Sequence, residues 1–314
     1  MRELERRKAD KPLSVLRTAA ELRFALAQAR GRGLSVGLVP TMGSFHEGHL
    51  SLMRRARAQC DVVVVSLFVN PAQFAGGEDL GSYPREEQRD TELAQAEGVD
   101  FLFVPEAQDV YPDGFSTTVE VRGLTGVLCG SPTSRGAAHF HGVTTIVAKL
   151  FNIVAPDVAY FGHKDFQQAL VIKRMVRDLD MPVQIETCPT VREPDGLAMS
   201  SRNAYLSADD RARATALKDA LDAAAAALRE GASAENARDA AGAQLTRHAI
   251  GPEYLEILDA SDLTPLEDAG NERVVVAVAA TIGRARLIDN VVVDLQTQAG
   301  TDAPASAPTA MVGA

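Results

Sequence analysis

The run Asp61-Val-Val-Val-Val-Ser-Leu-Phe-Val69 restricts the folds open to this chain more than any other stretch. A strand with one wet face alternates apolar and polar side chains. A run that is almost continuously apolar and β-branched needs cover on both faces, as the strands of parallel sheets have. Parallel neighbours cannot be joined by tight hairpins, so crossover helices must follow, and those helices supply the cover. The flanking sequence has that rhythm. An apolar strand, Leu34 to Val39, and a helix-like run, Leu50 to Cys60, precede it; a helix from Glu86 to Gly98 and a strand from Asp100 to Val104 follow. Helical periodicity returns over Gly142 to Val154 and Phe166 to Leu179, with short apolar strands at Asp157 to Phe161 and Met181 to Glu186. An earlier helix is predicted from Pro12 to Arg30, where Leu13, Leu16, Ala20, Phe24 and Leu26 fall near helical spacing before Gly31 and Gly33 stop it. The expected fold is α/β, a Rossmann-like doubly wound parallel sheet.

Two interruptions break the alternation. From Tyr111 to His141 turn residues crowd around one predicted strand, Ser116 to Val121, as in a loop passing over a binding face. After Cys188 a polar stretch leads to Ala-rich helices, Ala208 to Arg229 and Ala234 to His248. Three strand-like segments then follow, Tyr254 to Leu258, Arg273 to Ala280 and Arg286 to Leu295. With 314 residues available, the expected division is a nucleotide-binding domain over 1–189, a smaller α+β domain over 190–296 and a disordered tail over 297–314, with residues 1–11 a solvated leader.

A net charge of −10 argues against nucleic acid and membrane surfaces as partners. The three cysteines, Cys60, Cys129 and Cys188, lie far apart without a Cys-x-x-Cys pair, which suits free thiols in a reducing compartment. The charged start lacks an apolar signal region and no apolar run reaches about 18 residues, so a cytoplasmic protein is expected.

The chemistry concentrates at strand ends. Val39-Pro-Thr-Met-Gly-Ser-Phe-His-Glu-Gly-His49 turns from a strand into a helix, where unpaired N–H groups and two glycines, Gly43 and Gly48, admit a polyanion. It is neither Gly-x-Gly-x-x-Gly nor Gly-x-x-x-x-Gly-Lys-[Ser/Thr], which disfavours a dinucleotide cofactor and a P-loop. His46 and His49, three apart, would share one face and could stabilise charge moving onto a leaving pyrophosphate. Zinc ligation and a purely structural pair remain alternatives on spacing alone. Asn70 and Gln73 follow the buried strand directly, either as ligand contacts or as a cap and a loop residue. Gly162-His-Lys-Asp165 precedes a helix, where Asp165 serves either the site or the helix as its cap.

Five motifs in order carry a resemblance. Pro40-Thr-Met-Gly with His46-Glu-Gly-His49, Phe68-Val-Asn-Pro-Ala-Gln-Phe74, Tyr83-Pro-Arg85, Tyr160-Phe-Gly-His-Lys-Asp165 with Gln167-Gln168, and Val191-Arg-Glu-Pro-Asp-Gly-Leu-Ala-Met-Ser-Ser-Arg-Asn203 together resemble the pantothenate synthetase (pantoate-β-alanine ligase) family, within the His-x-Gly-His nucleotidyltransferase superfamily. The resemblance implies ATP-dependent activation of pantoate as pantoyl adenylate, then attack by β-alanine, releasing AMP and pyrophosphate. It implies a catalytic set of His49, in the position the family assigns as proton donor, with His46 and Lys164. ATP contacts would come from Met42, Gly43, His46, His49, Gly162, His163, Lys164 and Asp165, and from a second segment of Val191, Met199, Ser200, Ser201 and Arg202. Gln73 and Gln168, with Asn70 and Tyr83, would hold pantoate and β-alanine. It further implies Mg²⁺ accompanying ATP, with Asp90 a candidate for its shell, and a homodimer whose other partners are small molecules. Arg135-Gly-Ala-Ala-His139-Phe140 departs from the family's Arg-Pro-x-His-Phe, so the resemblance does not set the place of Arg135.

Overall fold

The computed structural model describes residues 12–74, 79–81, 83–266 and 273–295; the expected leader over 1–11 and tail over 297–314 lie outside them. The parallel sheet forms around the Asp61–Val69 run. β1 (Ser14–Leu16), β2 (Val36–Thr41), β3 (Val62–Leu67), β4 (Phe101–Phe103), β5 (Val158–Gly162) and β6 (Gln184–Cys188) make a six-stranded sheet among the described residues, in the order β1-β4-β3-β2-β5-β6. All its pairings are parallel, with Val36 to Thr41 facing Val62 to Leu67 residue for residue. The crossovers are α1 (Ala19–Gly31), α2 (Glu47–Gln59), α3 (Glu87–Ala96), the short α4 (Ala107–Val110), α5 (Ala137–Val154) and α6 (Phe166–Asp178).

The period-2 alternation of a strand explains why β3 has to be apolar throughout. Val62 and Val64 face a core with Leu22 and Leu26 of α1 and Phe151 of α5, whereas Val63 and Val65 face the opposite core with Met53 and Ala56 of α2. Each such valine is worth roughly 1.5–3 kcal/mol when fully buried, so neither face tolerates a polar residue cheaply. Strand order reverses between β2 and β5, the switch point at which doubly wound sheets open a crevice beyond their carboxyl ends.

A second, antiparallel sheet joins β7 (Tyr254–Asp259), β8 (Arg273–Ile282) and β9 (Ala285–Asp294). It is preceded by α7 (Ala208–Ala214), α8 (Ala216–Arg229) and α9 (Ala234–Arg247). Val274, Val276 and Val278 pack on Ala220, Ala224 and Ala241, whose small side chains let α8 and α9 lie close to each other and to the sheet. The alternate residues Val275 and Ala277, with Leu258 and Leu263, join the core of the parallel sheet instead. No helix of the described residues is long and apolar enough to cross a membrane.

Several expected boundaries move. The helix expected from Pro12 begins at Ala19, because Thr18 and Glu21 close a capping box; Ser14–Leu16 is instead a strand pairing with β4. Ser116 to Val121 forms no strand. Its Val119 N–H and C=O are taken by the hydroxyls of Thr145 and Thr144 in α5, and an alternating pattern makes a strand only beside another strand. α5 starts earlier, behind Gly136 at a φ of 80°. β6 starts later, at Gln184, and the first Ala-rich helix breaks at Thr215.

Candidate active site

The turn after β2 is built by an anchor the sequence does not advertise. Gly43, at a φ of 90°, reverses the chain, and the N–H groups of Ser44 and Phe45 then donate to the two oxygens of Asp90, each at 2.7 Å. Asp90, in the first turn of α3, has no exposed surface, and burial pushes its carboxyl up against the pull of those two bonds. Both oxygens accept from backbone in the protein interior and Asp90 does not line the cavity, so it is not placed to join a magnesium shell there. It is the fastening of the loop that carries the histidines.

His46 is the N-cap of α2. Its Nδ1 accepts from Gly48 N at 3.1 Å, and His49 Nδ1 accepts from His46 N at 3.4 Å. With Nδ1 an acceptor in both rings, the neutral tautomer assigned to each carries its proton on Nε2. A Cβ on Gly48 would lie 2.8 Å from His46 Cε1, so only glycine lets that ring fold over the first turn. The rings stack with centroids 4.1 Å apart. Burial, then Lys164, lowers His46 to about 4; burial, then His46 and Lys164, lowers His49 to about 3. Among the described residues no group of three His, Cys, Asp or Glu side chains could hold a metal ion. The pair therefore presents two neutral Nε2–H donors.

A cavity of about 240 Å³ opens at the switch point. Met42, His46 and His49 line it from the β2–α2 turn, and Gly162, Lys164 and Asp165 from the end of β5. Asn70, Gln73 and Tyr83 reach it after β3, and Gln168 reaches it from α6. The crossover contributes Val191, Met199, Ser200, Ser201 and Arg202. That crossover is a tight hairpin, with Met199 N bonded to Val191 O and an isolated bridge between Arg192 and Ala198. Ser200 caps the turn Ser201–Tyr205, its hydroxyl accepting from Arg202 N.

Four expected contacts sit differently, the first being Gly43, which reverses the turn without lining the cavity. His163 does not line the cavity: its ring packs on Phe166, burial lowers its pKa, and its carbonyl is held by Asn290. Asn70, expected with the acid, is 1% exposed and bonded on all four of its hydrogen-bonding positions. Tyr83, expected there too, places its hydroxyl 3.3 Å from Ser201 Oγ and its ring against Arg202 and Phe74.

Other lining residues were absent from the sequence reading of the site. Val143, Ile146, Val147 and Leu150 present one apolar face of α5 to the cavity at helical spacing, a stripe indistinguishable in sequence from core. His139 donates from Nδ1 to the Gln73 carbonyl at 2.7 Å, with Arg135 Nη1 at 3.4 and 3.5 Å from its ring nitrogens; burial and Arg135 lower it to about 4. Asp289 and Asn290, from β9, hold both cavity segments. Asp289 grips Arg192 with two bonds of 2.7 and 3.0 Å, and Asn290 Nδ2 donates to the carbonyls of His163 and Lys164.

Fold and site together define an α/β nucleotide-binding protein, with two imidazole donors and flanking cations at the switch point of a parallel sheet. The family can be specified further. The chain belongs to the pantoate-beta-alanine ligase family, whose model matches residues 14–292. It is 53% identical over 287 residues to pantothenate synthetase of Moorella thermoacetica, covering 90% of this chain and 99% of that protein. It is 49% identical over 290 residues to the Stutzerimonas stutzeri enzyme, covering 91% of this chain and all of the other. The crystal structure of pantothenate synthetase from Thermus thermophilus superposes with a TM-score of 0.83 at 46% identity, over 89% of this chain and 99% of that one. Pantoate-beta-alanine ligase from Francisella tularensis, complexed with beta-gamma ATP and beta-alanine, does so with a TM-score of 0.73 at 32% identity, over 89% and 97%.

Proposed function

We propose that this chain is an ATP-dependent, AMP-forming ligase that condenses pantoate with β-alanine through pantoyl adenylate. One observation carries the reading beyond family membership: the imidazole pair, Lys164 and the Ser200–Arg202 segment share a single cavity with Gln73, Gln168 and the apolar stripe of α5. A phosphate-binding half and an acid-binding half are thus contiguous, as transfer of an adenylyl group to an acid requires.

In the first step a pantoate carboxylate oxygen bonds to the α-phosphorus of ATP. The bridging P–O bond breaks, and pyrophosphate leaves with the electron pair. His46 and His49 donate from Nε2 to phosphate oxygens as charge moves toward the leaving group, and Lys164 and Arg202 offset that charge. Rings held neutral by burial can donate without first losing or gaining a proton. Gln73 and Gln168 hold the acid's polar groups, while Val143, Ile146, Val147 and Leu150 face its dimethyl carbon. In the second step the β-alanine nitrogen bonds to the acyl carbon, the acyl–phosphate bond breaks, and AMP leaves as the amine sheds a proton.

Magnesium fits as ATP's own counter-ion, held by phosphate oxygens and water. With Asp90 committed to backbone, Asp165 is the carboxylate left lining the cavity, and no step here depends on the ion. Residues 1–189 form the catalytic body in this reading and 190–296 a cover over it. Cytoplasmic residence is supported by three free, buried cysteines, and association as a homodimer would double the 33.4 kDa mass in light scattering.

Pyrophosphate release tests the reading. ATP with pantoate alone should give release that stops near one equivalent per site, and β-alanine should make it continuous. Release with a different acid, or ATP binding without release, would overturn it.

A further inference from the structure

A polar chain runs outward from Gln73 through Asn70 to Tyr111, and it has a direction. We infer that Asn70 and Tyr111 form a relay that fixes the side-chain amide of Gln73 as a hydrogen-bond donor toward the acid substrate, an inference that rests on the adenylating function above.

The direction follows from groups whose polarity is not negotiable. A backbone N–H can only donate and a backbone carbonyl can only accept. Asn70 Oδ1 accepts from Ala72 N at 3.3 Å, and Asn70 Nδ2 donates to Gly142 O at 3.1 Å, so the Asn70 amide has one admissible orientation. Its second N–H donates to Gln73 Oε1 at 3.0 Å. That consumes the acceptor of Gln73 and turns Nε2 toward Met42 Sδ, 3.2 Å away. A thioether is a weak acceptor, and a carboxylate or hydroxyl oxygen displacing it gains a stronger bond. Tyr111 completes the relay by donating from its hydroxyl to Asn70 Oδ1 at 2.7 Å. Burial pushes the Tyr111 phenol up to about 12, so it stays a donor at working pH. Its ring is clamped edge-on by Phe115 and tilted against Phe68, and Lys149 Nζ lies 4.6 Å from the centre of the Phe115 ring.

The backbone is fixed to match. A Cβ on Gly142 would stand 2.2 Å from Ala72 O, so α5 approaches the Pro71–Gln73 turn only through glycine. Asn70, saturated and buried, cannot itself touch substrate; with Tyr111 it is a positioning residue for Gln73. The relay selects for an acid that presents acceptor oxygens at this point and against one that presents an ammonium or amide N–H.

Steady-state kinetics of Asn70→Asp and Tyr111→Phe test this, with KM read separately for pantoate and ATP. In Asn70→Asp the new carboxylate has no N–H to give, so Gln73 flips to donate to it and turns Oε1 on the substrate. KM for pantoate should rise on the order of 100-fold, with KM for ATP within about twofold. Tyr111→Phe removes one oxygen and should raise KM for pantoate about five- to tenfold at nearly unchanged melting temperature. A lower melting temperature with unchanged KM for pantoate in Tyr111→Phe would mean a packing role only. Equal rises in KM for ATP and pantoate would overturn the relay as well. Wild-type pyrophosphate release that ignores pantoate would instead strike at the function itself.

Discussion

The two sheets place chemistry in different ways. In the parallel sheet every strand points the same way, so all carboxyl ends reach one edge, and Met42, Gln73 and Lys164 gather there after β2, β3 and β5. In the antiparallel sheet the ends alternate, so no edge collects them. Its contribution comes from mid-strand, where Asp289 and Asn290 on β9 reach different segments of the site. The parallel sheet therefore supplies groups that line the cavity, and the second sheet supplies groups that hold those groups.

That division can be broken or sharpened by experiment. The largest effect belongs to the parallel edge: His49→Ala should slow pantoyl-adenylate formation on the order of 10²- to 10³-fold in rapid-quench assays, the cost of losing one transition-state donor. A loss within a few-fold would remove His49 from the chemistry. Asp90→Ala should destabilise by about 2–4 kcal/mol in denaturant melts, because two buried N–H groups lose their acceptor. Its dependence on magnesium concentration should match wild type, unlike that of a lost metal ligand.

On the second sheet, Asn290→Leu should raise KM for ATP about tenfold and leave KM for pantoate alone, since it frees the His163 and Lys164 carbonyls. It also removes a buried acceptor, Asn290 Oδ1, that lacks a partner, which offsets part of the stability lost with those two bonds. A fall in kcat as large as that of His49→Ala would erase the distinction between the sheets.

A further effect is in pH. The folded-state pKa values of His46 and His49 lie below the ordinary 6.5, near 4 and 3, so between those values and 6.5 the unfolded chain binds more protons. Their contribution to stability is present above about 6.5 and is lost as pH falls toward 4 and 3. Melting temperature should drop over that window, and less so in His46→Gln, a difference read by calorimetry at stepped pH.

Much of the site was legible because its residues are local. His46 and His49 share one turn, Ser200 to Arg202 share another, and each motif sits beside the apolar run that marks its strand. Residues that act at a distance were not legible. Asp90 holds a loop 45 residues earlier in the chain, so its solvent-facing look as an acidic residue in a helix hid a buried anchor. Asn290 sits in an alternating strand where period-2 patterning reports a face but not what that face touches. The apolar stripe of α5 was not told apart from core because a pocket wall and a core face impose the same periodicity. β1 was missed for a local reason, since Leu13 and Leu16 fit a helix unless the Thr18 capping box is taken as its start.

The sequence by itself determined the parallel sheet, the turn that frees helical N–H groups, and the residue types able to handle a polyanion and an acid. These depend on short-range periodicity and on chemistry carried within a few residues. The tertiary structure decided which of those residues present free groups to the cavity and which hold others: Asp90 as an anchor, Asn70 as a saturated link, Asn290 as a brace. Hydrogen bonds between groups far apart in the chain have no periodicity to betray them, and burial alone converts a side chain's options into one role.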